Sequence, residues 1–568
     1  MQAADEFLFV PDRPETLSAA WATDAYRALE ARIASAEAAP DAAEWVALVA
    51  DWNAVKGYAE GEDSRRSYVF MQDMRSEEAE ESDRVMREEI RPVCENGDAA
   101  MGAALLASQH KAAVGQHFGG QLLAVLAVKE EPLAPINSAL RVKDGDLASK
   151  YDKLVATGEV DVLGETLTLA RARGKISSED AATRRAAFEA YYGWFLENRA
   201  AIAGIFDEEV KVRDEMGRNL GHANFVPLGY KGMERTDYGP EEVARFHAAV
   251  REFASPIFKQ QAEAQAKALG TETLKPWDKS FFPGRSLPSG VTEPVGEQLD
   301  KVGRVFQKLS PRLAAHFERM RSEGLIDLEN RKGKGAGAFC TSFPDEGRVA
   351  IFCNSTGDED DIGTLTHEMG HAFQSWESQA IEAVDLRWPT SDGAEVHSMG
   401  MEFLSLPLLG EFFDEAQLAN FTKSRWKGAV DIVCYVCVVD AFQQWVYENP
   451  SASEDDRDAE WVRLQDLYMP GIDWSGDAAK YRGTRWYAQL HIFRYPFYYI
   501  DYAIAETGAM QLALLDAEDH EKCLETYLEL CKLGGTKSVT QLFSGAGLRS
   551  PFDSTVMRDL MQHAQAQL

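Results

Sequence analysis

The chain has 568 residues, with 59 Lys and Arg set against 92 Asp and Glu, for a formal net charge of −33. Hydrophobic content of 45% and charged content of 27% are those of a globular protein with ample room for a buried core. An acidic surface of this strength repels phosphate backbones and anionic lipid, so no nucleic-acid or membrane partner is expected.

The opening residues, Met-Gln-Ala-Ala-Asp-Glu-Phe, show no basic region ahead of an apolar run, and no stretch approaches the roughly 18 uninterrupted apolar residues of a membrane span. The seven cysteines are odd in number and scattered. Cys434-x-x-Cys437 lies in an apolar run without a partner pair, so the cysteines read as buried thiols in a reducing, cytoplasmic setting.

Residues 14–60 read as helices, with Trp21, Tyr26, Leu29 and Ile33 on one face and Trp45, Leu48, Val49, Trp52 and Val55 on another. The densely charged stretch 61–91 predicts one long solvated helix. Helical hairpins continue over 100–220. Gly239-Pro240 then opens a helix carrying Val243, Phe246, Val250 and Phe253. No run of strands is expected before about residue 270. Turn formers crowd 271–299 (Pro276-Trp-Asp, Phe282-Pro-Gly, Leu287-Pro-Ser-Gly, Glu293-Pro), and a helix is expected over 302–321.

One region is β-like. Residues 337–343, a turn at Pro344-Asp-Glu-Gly347 and residues 348–353 predict a hairpin whose second strand runs almost directly into a helix. An edge strand there can hold an extended peptide by its main chain. Lys332-Gly-Lys-Gly-Ala-Gly337 lacks the Gly-Lys-Ser/Thr ending of a phosphate loop and reads as a flexible substrate-side loop. Beyond Trp376 the chain is helical again, with the most apolar window, 433–439, read as a buried helix.

The stretch with the most chemistry is Thr364-Leu-Thr-His-Glu-Met-Gly-His-Ala-Phe-Gln374. On an α-helix four residues advance about 400°, so His367 and His371 point the same way, one turn apart. That separation suits one metal ion, and Glu368 can reach a water at it. Ile362, Leu365, Met369, Phe373 and Trp376 form an apolar stripe on the opposite side. A catalytic zinc needs a third protein ligand. Gln374 and Glu377 occupy the positions where the short extended form would place glycine and histidine, so the ligand comes from elsewhere. Glu377 and Glu382 would have to double back. Glu395 opens a new helix after Pro389-Thr-Ser-Asp-Gly393 and can face the histidine pair across a helix–loop–helix turn. Glu402, two turns further along the same face, is either an acceptor for a ligand histidine's N–H or a solvated helix-face acid. His397 lies on the wrong face for the same metal and reads as a local hydrogen-bonding residue.

His-Glu-Met-Gly-His-Ala-Phe-Gln, followed by Glu-Val-His-Ser-Met-Gly-Met-Glu-Phe from Glu395 and preceded by Ile351-Phe-Cys-Asn-Ser-Thr-Gly-Asp, resembles the thimet oligopeptidase/oligopeptidase F family of zinc peptidases. The late segment His491-Ile-Phe-Arg-Tyr-Pro-Phe-Tyr-Tyr-Ile-Asp-Tyr502 is similar to the family's substrate-side His/Tyr segment. The resemblance spans about residues 200 to 560. It implies a mainly α, two-lobed, zincin-like fold enclosing a deep channel, with a small β-sheet beside the active-site helix. An N-terminal helical lobe (1–195) and a zinc peptidase catalytic region (196–568) are expected. It also implies one Zn2+ per chain on His367, His371 and Glu395, with Glu368 as general base. His491 and Tyr502, with Tyr498 as a third group, would steady the substrate carbonyl and the oxyanion. The activity implied is hydrolysis of internal bonds in short peptides. The rivals are a helical zinc carboxypeptidase, with Arg482 or Arg494 for the terminal carboxylate, and a non-catalytic peptide-binding protein with a structural metal. An intact Glu368 argues against the latter.

Overall fold

The computed structural model describes residues 14, 16–281, 292 and 294–568. The turn signals at 282–291 and 293 lie outside the described residues, as do residues 1–13. The fold is mainly α, with two small sheets among the described residues. The chain forms two compact units: Met1–Glu130, Leu287–Glu415 and Gly508–Leu548 make the first, and Glu131–Ser286, Ala416–Thr507 and Arg549–Leu568 the second. The helix Ala181–Glu197 runs through residues 195 and 196 without a break.

In the first unit, helices Ala19–Ala38 and Ala43–Gln72 bury the faces their periodicity predicts. Tyr26, Leu29, Trp45, Leu48 and Trp52 share a core with Met101 and Leu105. The Tyr26 hydroxyl and the Trp52 indole both donate to Asp98, at 2.7 and 2.6 Å. The single helix expected over 61–91 is corrected. The second helix stops at Gln72, and a new one starts at Glu77 with Ser76 accepting from the N–H of Ala79. The break is tertiary in origin: Met74 N–H donates to Gly333 C=O and Gly335 N–H to Met71 C=O, both at 2.7 Å. The helix expected over 302–321 is two, Val295–Leu309 and Pro311–Ser322. Ser310 takes an extended conformation between them and Pro311 occupies a first-turn position, where its missing N–H costs nothing.

The hairpin forms as predicted, from β4 (Phe339–Phe343) and β5 (Arg348–Ser355), antiparallel with Phe339 opposite Phe352 and Phe343 opposite Arg348. A further strand, β3 (Ile326–Glu329), pairs in parallel with β5. The order is therefore β3-β5-β4, which corrects the expected peptide edge. β5 is central, with a strand on each side, so the edge toward the next helix belongs to β4. The Gly-rich loop at 332–337 is not loose either. The fully buried Lys334 Nζ donates to the main-chain carbonyls of Glu329 and Cys353 and to the Asp327 carboxylate, tying the loop to β3 and β5.

The second unit is built on helix Glu415–Glu448, in which Val433, Cys434, Val436, Cys437, Val438 and Val439 are fully buried. By length and apolarity this helix could cross a membrane, but 67% of its most apolar window is buried inside the protein. Asp431 on it pairs with Lys427 and Lys279, and Asp440 lies 3.1 Å from His247. A two-stranded hairpin that the periodicity does not reveal, β1 (Glu159–Val162) and β2 (Glu165–Thr168), precedes residue 270. Its turn is Leu163-Gly164, both at positive φ. Only Val162 and Leu167 are buried, so the alternation signal is too short to read.

Candidate functional site

In the first unit, helix Asp360–Glu377 carries the histidine pair and helix Ser391–Ser405 carries Glu395. The second helix starts four residues earlier than Glu395, at Ser391, so Glu395 sits at the start of its second turn. Asp361 accepts from the main-chain N–H groups of Thr356 and Gly357, fixing the passage from β5 into the histidine helix. The two helices meet backbone to backbone at Gly370, where a Cβ would lie 2.4 Å from the His397 carbonyl oxygen and 2.6 Å from Ser398 Cα. The Tyr527 hydroxyl donates to that same carbonyl at 3.0 Å and locks the crossing.

The crossing brings the predicted ligands together. One ligand atom from each of His367, His371 and Glu395 lies within 4.8 Å of the others. Glu395 Oε2 is 3.3 Å from His367 Nε2 and 3.7 Å from His371 Nε2, and Ser398 Oγ donates to the same oxygen at 2.9 Å. His367 Nδ1 lies 2.9 Å from Glu402 Oε1. Glu402 is therefore the acceptor that orients the His367 ring, and the solvated-acid alternative falls away. Glu377 is committed to Arg312 and His316, and Glu382 is exposed beside His117, which removes both as ligands.

The electrostatics suit a cation. Burial pushes His371 down to about 3, so its imidazole is neutral and its nitrogen lone pair is free to ligate. Burial opposes the charge of Glu395, but the hydrogen bonds to His367 and Ser398 and the charge on His367 bring it down to about 2. Burial likewise opposes a charged His367, yet the carboxylates of Glu395 and Glu402 lift it well above the ordinary imidazole value. Two imidazoles and one carboxylate form the donor set typical of a hydrolytic zinc. Beside them, burial raises Glu368 to about 7, against the field of His367 and with the main-chain N–H of Cys340 on β4 favouring its charge. His397 is fully buried, and burial holds it down to about 4.

In the second unit, the 486–502 segment also assembles. His491 stacks on Tyr498 with centroids 5.8 Å apart and meets Tyr502 edge-on at 6.5 Å. The Tyr498 hydroxyl donates to that of Tyr502 at 3.0 Å. Burial, with Arg173 and Arg494 adding repulsion, holds His491 down to about 4, hence neutral. Two buried arginines secure the segment's backbone. Arg213 donates to the Ile492 and Phe493 carbonyls, and Arg235 to the Phe497 carbonyl and the Asp501 carboxylate. Phe497 is held at a positive φ of 65° between these clamps. Arg482 and Arg494 are paired with Asp466 and Asp152, so neither is an uncommitted cation for a terminal carboxylate.

The pattern of peptidase family M3 matches residues 175–562, more than half of the chain. The chain belongs to this family. Among solved structures, PZ peptidase A with an inhibitor superposes with a TM-score of 0.85 at 31% identity, covering 99% of this chain and 98% of that one. Among curated proteins, the chromosomal oligoendopeptidase F of Lactococcus lactis subsp. cremoris is 23% identical over 405 residues, 68% of this chain. An oligoendopeptidase F homolog of Lactococcus lactis subsp. lactis (strain IL1403) is 23% identical over 387 residues, 66% of this chain. The chain spans 63% and 61% of those two relatives' own lengths.

Three parts of this M3 site escaped the sequence reading. Ser398 was accessible to it, since three residues after Glu395 is the same helix face. The Cys340 N–H was not, because it depends on which strand is the sheet edge. Nor was Trp388, whose ring sits 5.4 Å from that of His371, because it lies in the irregular link between the two helices.

Proposed function

We propose that the chain is a zinc-dependent oligoendopeptidase that hydrolyses internal bonds of short peptides, with one Zn2+ on His367, His371 and Glu395. The observation that carries the reading is the convergence of those three donors beside a buried carboxylate poised at about 7. When bound, zinc would polarise the scissile carbonyl and acidify water. Glu368 takes the proton of the attacking water and passes one to the leaving amine, and a carboxyl titrating near neutrality does both. Glu402 holds the His367 ring and Ser398 steadies the Glu395 carboxylate. The neutral His491 ring and the Tyr498 and Tyr502 hydroxyls supply hydrogen bonds to the substrate carbonyl and to the oxyanion.

The catalytic region is assigned to 196–568 and an N-terminal helical lobe to 1–195. A cytoplasmic location accompanies this reading, in keeping with seven free cysteines, six of them buried. The two arginines expected to serve the carboxypeptidase alternative, Arg482 and Arg494, are both paired with carboxylates. Metal analysis of the purified chain, with a quenched-peptide assay with and without chelator, tests the proposal. Internal cuts dependent on stoichiometric zinc are expected. A stepwise C-terminal ladder would replace this reading with the carboxypeptidase, and peptide binding without any cleavage with the binding protein.

A further inference from the structure

The second unit contains a cavity of about 290 Å3 that none of the chemistry above uses. That is near the lower end of small-ligand pockets, roughly 300–1,000 Å3. Its wall holds three cations, Arg173, Lys279 and Arg485, and a band of phenols that includes Tyr192, Tyr435 and Tyr499. Among the described residues no carboxylate lines it. In a chain of net charge −33, a cavity walled by cations and phenols is a local reversal of the field.

The acids close by are already engaged. Asp431 lies between Lys427 (2.8 Å) and Lys279 (3.3 Å), and Asp278 pairs with Arg184 at 2.7 Å. Among the described residues Arg485 pairs with no carboxylate. Its guanidinium packs over Tyr192 and Trp474, 5.0 and 5.3 Å from the ring centroids, and donates to the Tyr192 hydroxyl at 3.2 Å. Its Nε is buried without a hydrogen-bond partner among the described residues. A largely desolvated guanidinium with an unused face is costly unless an anion completes it, and its planar fork matches a carboxylate.

The cavity adjoins His491. Gln489 lies in the wall, and its Nε2 is 2.7 Å from His491 Nδ1. The Tyr435 hydroxyl donates to Gln489 Oε1 at 2.8 Å, and the Tyr499 ring sits 4.8 Å from the His491 ring. A group in the cavity is therefore one side chain away from the imidazole assigned to the substrate carbonyl.

We propose that this cavity is a carboxylate subsite for the bound peptide, with Arg485 as its principal ligand and Lys279 and Arg173 as supporting charges. The carboxylate comes either from the peptide's C-terminus or from an Asp or Glu side chain. The assignment of the occupant as peptide rests on the oligopeptidase reading of His491.

The test uses two pairs of quenched peptides on the zinc-loaded chain, one pair differing as C-terminal acid and amide, the other as Glu and Gln at one internal position. kcat/KM is measured with the parent, and binding by anisotropy with Glu368→Gln. The parent is expected to favour the acidic member of one pair by about tenfold or more, and that pair identifies the source of the carboxylate. Arg485→Met is expected to bring the ratio to within about twofold of unity, Arg485→Lys to recover part of it, and the exposed Arg173→Gln to lower it partway. Both members of a pair are read on the same variant, so a general loss of activity cancels. Ratios near unity for both pairs in the parent, or a ratio that survives Arg485→Met, would overturn the subsite while leaving the peptidase reading intact. Arg485-dependent binding of acidic peptides without cleavage of any peptide would support the subsite and remove the peptidase reading.

Discussion

Glu368 shows how much a single position owes to its surroundings. Its place directly after the first histidine is written in the chain, but a carboxyl raised to about 7 exists only because helix and sheet bury it. In the proposed mechanism Glu368→Gln keeps the shape and the three donors and removes the base. Turnover is expected to fall by about 10²–10⁴-fold, with zinc content and peptide affinity retained. Full activity in that variant would sink the mechanism. Glu402 acts through His367, so Glu402→Gln is expected to weaken zinc binding by about 10–100-fold, measured by chelator competition, with a smaller effect on kcat at saturating zinc. Glu395 was legible because a helix-starting signal put one acid opposite the histidines. The role of Glu402 was left open because sequence spacing gives a face and not a distance.

At the scale of elements, the approach of the helices that carry the histidine pair and Glu395 turns on Gly370. A side chain there meets main-chain atoms of His397 and Ser398, which cannot rotate away. Gly370→Ala should therefore push the helices apart, destabilising the fold by about 1–3 kcal/mol and weakening zinc affinity in the same variant. Unchanged melting and unchanged zinc affinity would show that the crossing is not the constraint. The histidine helix, the buried helix at 433–439 and the 337–353 hairpin were all readable, because each has strong local periodicity or turn chemistry. The break at 73–76, strand β3 and the split at Ser310 were harder. The first is imposed by pairing with Gly333 and Gly335. The second is four residues long and exists only against β5. The third follows a Ser-Pro signal that helical periodicity on both sides obscured.

At the scale of the molecule, removing zinc should lower the melting temperature, because a ligand bound only by the folded state stabilises it by mass action. Thermal melts with and without chelator check this, and no shift would argue against a metal at the histidine pair. A second global effect comes from Glu209 in the second unit. It is fully buried 3.8 Å from Arg213, and burial, only partly offset by Arg213, raises it to about 8. A carboxyl near 4.5 when unfolded and about 8 when folded makes its folded state bind the extra proton. Its contribution to stability is complete below about 4.5 and is lost as pH rises towards 8. Glu209→Gln should flatten the stability profile between pH 5 and 8, the variant gaining on the parent as pH rises. Denaturant melts at both pH values measure the difference, and an unchanged slope would place the titration elsewhere.

By itself the sequence determined the residue types of the proposed site: two imidazoles one turn apart, a carboxylate beside them, an acid early in a second helix, and a late His/Tyr segment. These are local patterns, set by helical geometry and residue type. Tertiary structure decided the rest. It chose which strand forms the sheet edge and so which N–H reaches Glu368. It brought Glu402 to His367, drew each compact unit from three separated stretches of chain, and surrounded Arg485 with phenols rather than acids. Those outcomes depend on contacts between residues far apart in sequence, whose energies no local pattern encodes.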